Sequence, residues 1–240
     1  MPGILGGSPL CSAAPPEASG ASMAAPDCRP FPLSVADLQA AAASAHPTIP
    51  RQRPAAFAEA LAAFGADFGV TTKLRIGHFV SQCAPESDWF RTTTEYASGR
   101  AYEGRRSLGN TRPGDGPRYK GRGDIQTTGR ANYRMVTAEL RERYPAGVLW
   151  RGEISAVPDL EAEPERLAEA PWATLGSLAW WHRNGANAEA DRGDTVRVVE
   201  RVSRGVNRGN FRARRRANGE AHRIEAFRGV MAALHRTGIA

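Results

Sequence analysis

The chain has 240 residues, 41% of them hydrophobic, which is enough apolar material for one domain with a substantial core. Its formal net charge of +7 rests on arginine, since Lys73 and Lys120 are the only lysines; such a charge favours polyanionic partners without choosing among them, and arginine usage also follows genomic base composition. Cys11, Cys28 and Cys83 fit neither a disulfide framework nor a zinc-ligand pattern, no apolar run reaches the roughly 18 residues of a membrane span, and the amino terminus lacks the basic region of a signal peptide.

Residues 1–31 are rich in Ala, Pro, Ser and Gly and lack apolar periodicity, which predicts a disordered tail, with the folded part spanning 32–240. Ser34 and Asp37 have capping-box spacing and mark a helix start. Phe57, Leu61, Phe64 and Phe68 repeat at helical spacing behind Pro54, and Leu74, Ile76, Phe79, Val80 and Cys83 form a third helical face that Pro85 should disturb or end. From Glu95 to Gly123 the periodicity vanishes and Gly, Pro, Asn and Asp take over, predicting a long structured loop or short hairpin of the kind that usually carries function. Helical spacing returns at Tyr133, Val136, Leu140 and Tyr144, at Trp172, Leu175, Leu178 and Ala179, from Asp194 through Val196, Val199 and Val202, and at Ile224, Phe227, Met231 and Leu234. The expected class is mainly α, without repeats.

Two carboxylic groups across a sugar can break a glycosidic bond, one protonating the leaving oxygen and the other activating water or attacking directly. Glu86 and Glu95 suit that chemistry only if they lie on different elements, because nine residues on one helix leave them about half a turn out of phase. A helix ending near Phe90, with "RTTTE" folding back, would place them across a groove. On spacing alone, two solvated surface glutamates is the simpler account.

The stretch "YEGRRSLGNTRPGDGPRYKGRGDIQTTGRANY" resembles the signature of glycoside hydrolase family 19, the family of plant-type chitinases and many phage endolysins. "RIGHFVSQCAPESDWF" resembles the helix bearing its first catalytic Glu, and "LAWWHRNGANAEADRGDTVRVVERVSRGVNRG" its later Trp-rich helix and Asn-Gly loop, so the resemblance runs from about Pro32 to the end. It implies a lysozyme-like α-helical domain with a small hairpin or long loop beside the active-site groove. It also implies that Glu86 is the general acid, that Glu95 is the second carboxylate and that the Thr128 hydroxyl helps hold the attacking water. Glu103 of "YEGR" is the alternative base, or otherwise a groove residue. Gln126, Asn132, Tyr119 and Asn207 match sugar-binding positions; an amide offers both a donor and an acceptor to an N-acetyl group.

Three departures stand out. The family His before the catalytic Glu is Pro85 here, the "NGG" loop reads "NRG" with Arg208 in place of Gly, and the Arg closing the family's "ADR" segment falls at Arg215 or Arg216. Of the remaining candidates, Trp180, Trp181 and His78 read as core, no His, Cys or Asp cluster has metal-site spacing, and "FRARRRANGEAHR" reads as a solvated basic face rather than a nucleic-acid arm.

The resemblance implies an inverting glycoside hydrolase that needs no cofactor and cleaves β-1,4 bonds in N-acetylglucosamine-containing polymers. Peptidoglycan is the expected substrate, with chitin, or a non-catalytic wall-binding role, as alternatives. The expected setting is a monomer made in the cytoplasm and acting at an anionic cell wall after release, without nucleic-acid partners or membrane insertion.

Overall fold

A computed structural model describes residues 31–45 and 52–239. Of the expected tail only Phe31 falls within them; Cys11 and Cys28 lie outside. The elements are α1 (Val35–Ala43), α2 (Gln52–Phe64), α3 (Lys73–Glu86), α4 (Asp115–Arg118), α5 (Arg130–Arg143), β1 (Val148–Trp150), β2 (Glu153–Ser155), α6 (Trp172–Arg183), α7 (Ala186–Ala190), α8 (Val196–Arg208) and α9 (Glu220–His235). The mainly α expectation holds.

Local signals explain most boundaries. The Ser34 hydroxyl accepts from the Asp37 N–H while the Asp37 carboxylate accepts from the Ser34 N–H, closing the capping box of α1. Helix α2 stops at Phe64, short of the expected run to Phe68. Gly65 and a 3-10 turn at Ala66–Phe68 break it, yet Phe68 still buries its ring in the same core. Helix α3 passes through Pro85 and ends one residue later. A proline this late forfeits a single helical hydrogen bond, and Ser87 closes the end by donating from both N–H and Oγ to the Cys83 carbonyl, at 3.0 and 2.7 Å.

Buried α3 is the axis of the molecule. It lies along α9 so closely that a Cβ at Gly77 would sit 2.4 Å from the Met231 sulfur. On its other side Phe79 stacks with Phe57 of α2 and meets Trp181 of α6 edge-on, with ring centroids 6.1 and 5.4 Å apart. His78 is buried beside Phe227, its Nε2 2.9 Å from the Gly193 carbonyl. Cys83 is a buried free thiol whose pKa burial pushes up. Among the described residues no helix is long and apolar enough to cross a membrane.

The region 95–123 is a structured loop carrying 3-10 turns and the short α4, and it ends in a tight antiparallel bridge between Arg122 and Thr127. Buried Asn110 and Asp115 organise it: Asn110 donates to the Tyr102 carbonyl and accepts from the Arg130 N–H, both at 2.9 Å. Asp115 accepts from the Thr111 and Arg112 N–H groups and pairs with the Arg130 guanidinium, which brings its pKa down to about 2. The hairpin lies elsewhere, in β1 and β2, with Leu149 opposite Ile154. Three-residue strands carry too little alternation to be read from sequence.

Candidate active site

Helix α3 delivers Glu86 at its last residue, and the chain then reverses sharply. Asp88, Trp89 and Phe90 take φ of 48°, 57° and 63°, three successive non-glycine residues in the left-handed region, each costing on the order of 1 kcal/mol. Hydrogen bonds hold the reversal: the Trp89 N–H to the Ala84 carbonyl, the Phe90 N–H to Ser87 Oγ and the Thr92 N–H to the Ser87 carbonyl. It sends residues 92–95 back along a groove of about 950 Å³ lined by Glu86, Asp88, Glu95, Tyr96, Tyr102, Arg105, Gly121, Gln126, Thr128, Asn132, Trp180, Asn207 and Arg208, among others. Glu86 and Glu95 therefore share one groove from different elements.

The two carboxylates have different surroundings. Glu86 Oε1 accepts from Arg223 Nη2 at 2.5 Å, and Arg223 is only 3% exposed. The same guanidinium donates to Gln82 Oε1 at 2.7 Å and to the Asn218 carbonyl at 3.2 Å. Among the described residues no arginine pairs with Glu95; Oε1 accepts from the Tyr102 hydroxyl at 2.9 Å and Oε2 from the Gly121 N–H at 3.0 Å. Its backbone is pinned too, N–H to the Gly121 carbonyl and C=O from Lys120 Nζ, each at 2.9 Å. Burial, and after it the hydrogen bond to Glu95, pushes the Tyr102 phenol up to about 12, so Tyr102 stays a donor.

Thr128 lines the groove with its hydroxyl donating to the Gln126 carbonyl at 2.9 Å. The hydroxyl thus has lone pairs, but no proton, to offer a water, and Glu95 takes its donors from Tyr102 and Gly121 instead. Gln126 (φ 57°) and Asn132 also line the groove, their amide nitrogens donating to the Gly123 and Thr128 carbonyls. Asn207 reaches it from the end of α8, its Oδ1 accepting from the Asn218 N–H at 2.9 Å.

Two expected groove residues are placed elsewhere. Tyr119 is 1% exposed, packed edge-on against Tyr133 under the Arg130 guanidinium, with its hydroxyl donating to the Glu161 carbonyl. It supports the loop from behind and does not line the groove. Glu103 spends both carboxylate oxygens on the Gly114 and Gly116 N–H groups, at 2.7 and 2.8 Å, where it braces the start of α4. Neither substrate binding nor base chemistry follows from those positions.

Arg215 is exposed and Arg216 faces Glu220 at 3.6 Å; Arg223, which the sequence reading did not single out, is the residue that meets Glu86. The basic run masked it, although Gln82 and Glu86, one turn apart on α3, signal a buried polar partner. Tyr102 was missed as well, lying beside Glu103 in "YEGR". Trp181 is core as expected, while an edge of Trp180, 8% exposed, reaches the groove.

No protein-family model matches the chain. Among solved structures it is similar to chitinase C from Streptomyces griseus, at 16% identity over 87% of this chain and 78% of that one, with a TM-score of 0.55. A Glu-to-Gln variant of a chitinase C aligns at 16% identity over 85% and 93%, TM-score 0.50, and a family 19, class IV chitinase from Zea mays at 18% over 75% and 80%, TM-score 0.48. With a helical frame, a buried α3 ending in Glu86 and a loop-walled groove, the chain has the lysozyme-like fold of the family 19 chitinases.

Proposed function

We propose that the protein is a glycoside hydrolase that cleaves β-1,4 bonds in N-acetylglucosamine-containing cell-wall polymers. The observation that carries this reading is the shared groove of Glu86 and Glu95, each carboxylate fixed by a different donor set. Glu86 protonates the leaving oxygen from Oε2, which has no hydrogen bond among the described residues, while Arg223 holds Oε1. Glu95 takes a proton from water with its remaining lone pairs, and Thr128 orients that water as an acceptor. Gln126, Asn132 and Asn207 suit acetamido groups, and Tyr96, 76% exposed at the groove with its hydroxyl on Asp88, offers a stacking face. Single displacement inverts the anomeric centre, and an inverting pair stands roughly 6.5–9.5 Å apart to admit the water.

Peptidoglycan is the preferred substrate in this reading, because its carboxylates attract a protein of net charge +7 whereas chitin has none. Chitin is the second reading, favoured by the similarity of the fold to chitinase C. The test is reducing-end release from purified sacculi and from colloidal chitin across a salt series, with Glu86→Gln as blank and the first-formed anomer read by NMR. Activity equal in Glu86→Gln and parent sinks the mechanism. Faster hydrolysis of chitin, with sacculi intact at low salt, transfers the assignment to chitin.

A further inference from the structure

We propose that Arg105 and Arg208 make the groove a reader of carboxylates carried on its polysaccharide, an inference that rests on the glycosidase reading above. Both line the groove, and among the described residues neither pairs with a carboxylate. That sets them apart from Arg75, Arg130, Arg134, Arg201 and Arg223, each of which meets an Asp or Glu.

Arg208 is held in place without being neutralised, and Arg105 rests against an aromatic ring. Arg208, in the last turn of α8, donates Nε and Nη2 to the Arg216 carbonyl at 3.1 and 3.0 Å and Nη2 to Asn218 Oδ1 at 2.6 Å. Those bonds fix its plane, and among the described residues Nη1 has no acceptor. Arg105 lies over the Tyr102 ring, 5.6 Å from its centroid, beside the phenol that holds Glu95. Ordering these side chains in advance lowers the entropic cost of engaging a ligand, and a planar guanidinium matches a carboxylate better than a neutral sugar hydroxyl.

The groove's own acids do not account for the pair. Glu86 is met by Arg223, Asp88 by Arg91 at 3.7 Å, and Glu95 by the Tyr102 hydroxyl and the Gly121 N–H. Beyond Arg208 the same sign of charge continues: Arg212, Arg214, Arg215 and Arg216 are exposed on a loop seated by Phe211, whose ring lies 2.0 Å from where a Gly205 Cβ would stand. A glycan bearing lactyl or peptide carboxylates on its sugars presents anions to such a channel, whereas a plain N-acetylglucosamine polymer presents none.

The test compares parent, Arg208→Gln and Arg105→Gln on two forms of one substrate: sacculi stripped of phosphodiester polymers, and the same sacculi with their carboxylates amidated. Each variant should lower the native-to-amidated ratio of kcat/KM by about tenfold, the loss of one charge-assisted hydrogen bond. A ratio unchanged in both variants overturns the proposal and makes the arginines general charge balance. With unstripped sacculi run as a third arm, a fall seen only there also overturns it, because the ligand is then phosphate. If the parent cleaves neither form, the peptidoglycan reading fails separately, and calorimetry decides the proposal: carboxylate-bearing muramyl oligosaccharide must bind the parent more tightly than neutral chito-oligosaccharide, and Arg208→Gln must remove that preference.

Discussion

Arg223 of α9 donates Nη2 to Oε1 of Glu86 at 2.5 Å, joining the end of one buried helix to the start of another across the groove's inner wall. Without Arg223, Glu86 loses the donor that orients it, so in Arg223→Met kcat should fall by about tenfold. Gln82 Oε1 and the Asn218 carbonyl lose their donor in the same change, so the melting temperature should drop by an amount corresponding to about 3 kcal/mol. Arg223→Lys should restore part of that turnover, and parental turnover in the Met variant would show that Arg223 does not position Glu86.

Tyr102 acts on the other carboxylate. Its hydroxyl donates to Glu95 Oε1 at 2.9 Å, and Tyr102→Phe keeps the ring while deleting that bond. Glu95 then loses one of the two donors that fix its plane, so kcat should fall by about tenfold with KM little changed. Turnover of the two proteins on one chito-oligosaccharide decides this; equal kcat would remove Tyr102 from the positioning of the base.

Thr128 and Thr127 are adjacent and should respond oppositely. The Thr128 hydroxyl lines the groove and donates to the Gln126 carbonyl, leaving its lone pairs for the attacking water of the proposed mechanism, so Thr128→Ala should lower kcat by about tenfold and Thr128→Ser should largely restore it. Thr127 is 3% exposed and, among the described residues, its Oγ1 has no hydrogen-bond partner. Thr127→Val keeps the shape and removes an unpaired buried hydroxyl, which should raise stability by up to about 1 kcal/mol. Denaturant melts and turnover measured on the same preparations separate the two effects, and equal kcat for Thr128→Ala and parent would contradict the proposed role.

The groove loop should also weaken in acid. Asp115 and Glu161 are both held at about 2 by hydrogen bonds from arginine, Arg130 on the first, Arg134 and Arg130 on the second. Folded values below the unfolded ones mean the stabilisation is complete above about pH 4 and is lost as the pH falls through about 2. Asp115→Asn should cost about 3 kcal/mol at pH 7, because it leaves Arg130 without its buried partner, and should flatten the acid decline. Equilibrium unfolding from pH 7 to pH 2 reads both; a variant that keeps the parental slope would place the acid sensitivity elsewhere.

What the sequence determined by itself was everything carried by local pattern. The Ser34–Asp37 cap, the apolar faces of α3, α5, α6 and α9, and the ordered blocks around Glu86 and "GRGDIQTTGRANY" were legible because helix period and motif spacing are properties of neighbouring residues. They named Glu86, Glu95, Thr128, Gln126, Asn132 and Asn207, all of which line the groove. What only the tertiary structure decided was pairing across the chain. Arg223 reaches Glu86 from 137 residues away, and its sequence context is a basic run that would serve as well on a solvated face. Tyr119 and Glu103 sit inside the same motif as the groove residues, yet their side chains turn behind the loop, where one packs against Tyr133 and the other caps α4. A motif fixes which residues travel together; which of them face the substrate depends on the direction of each side chain in the packed loop, and packing sets that direction.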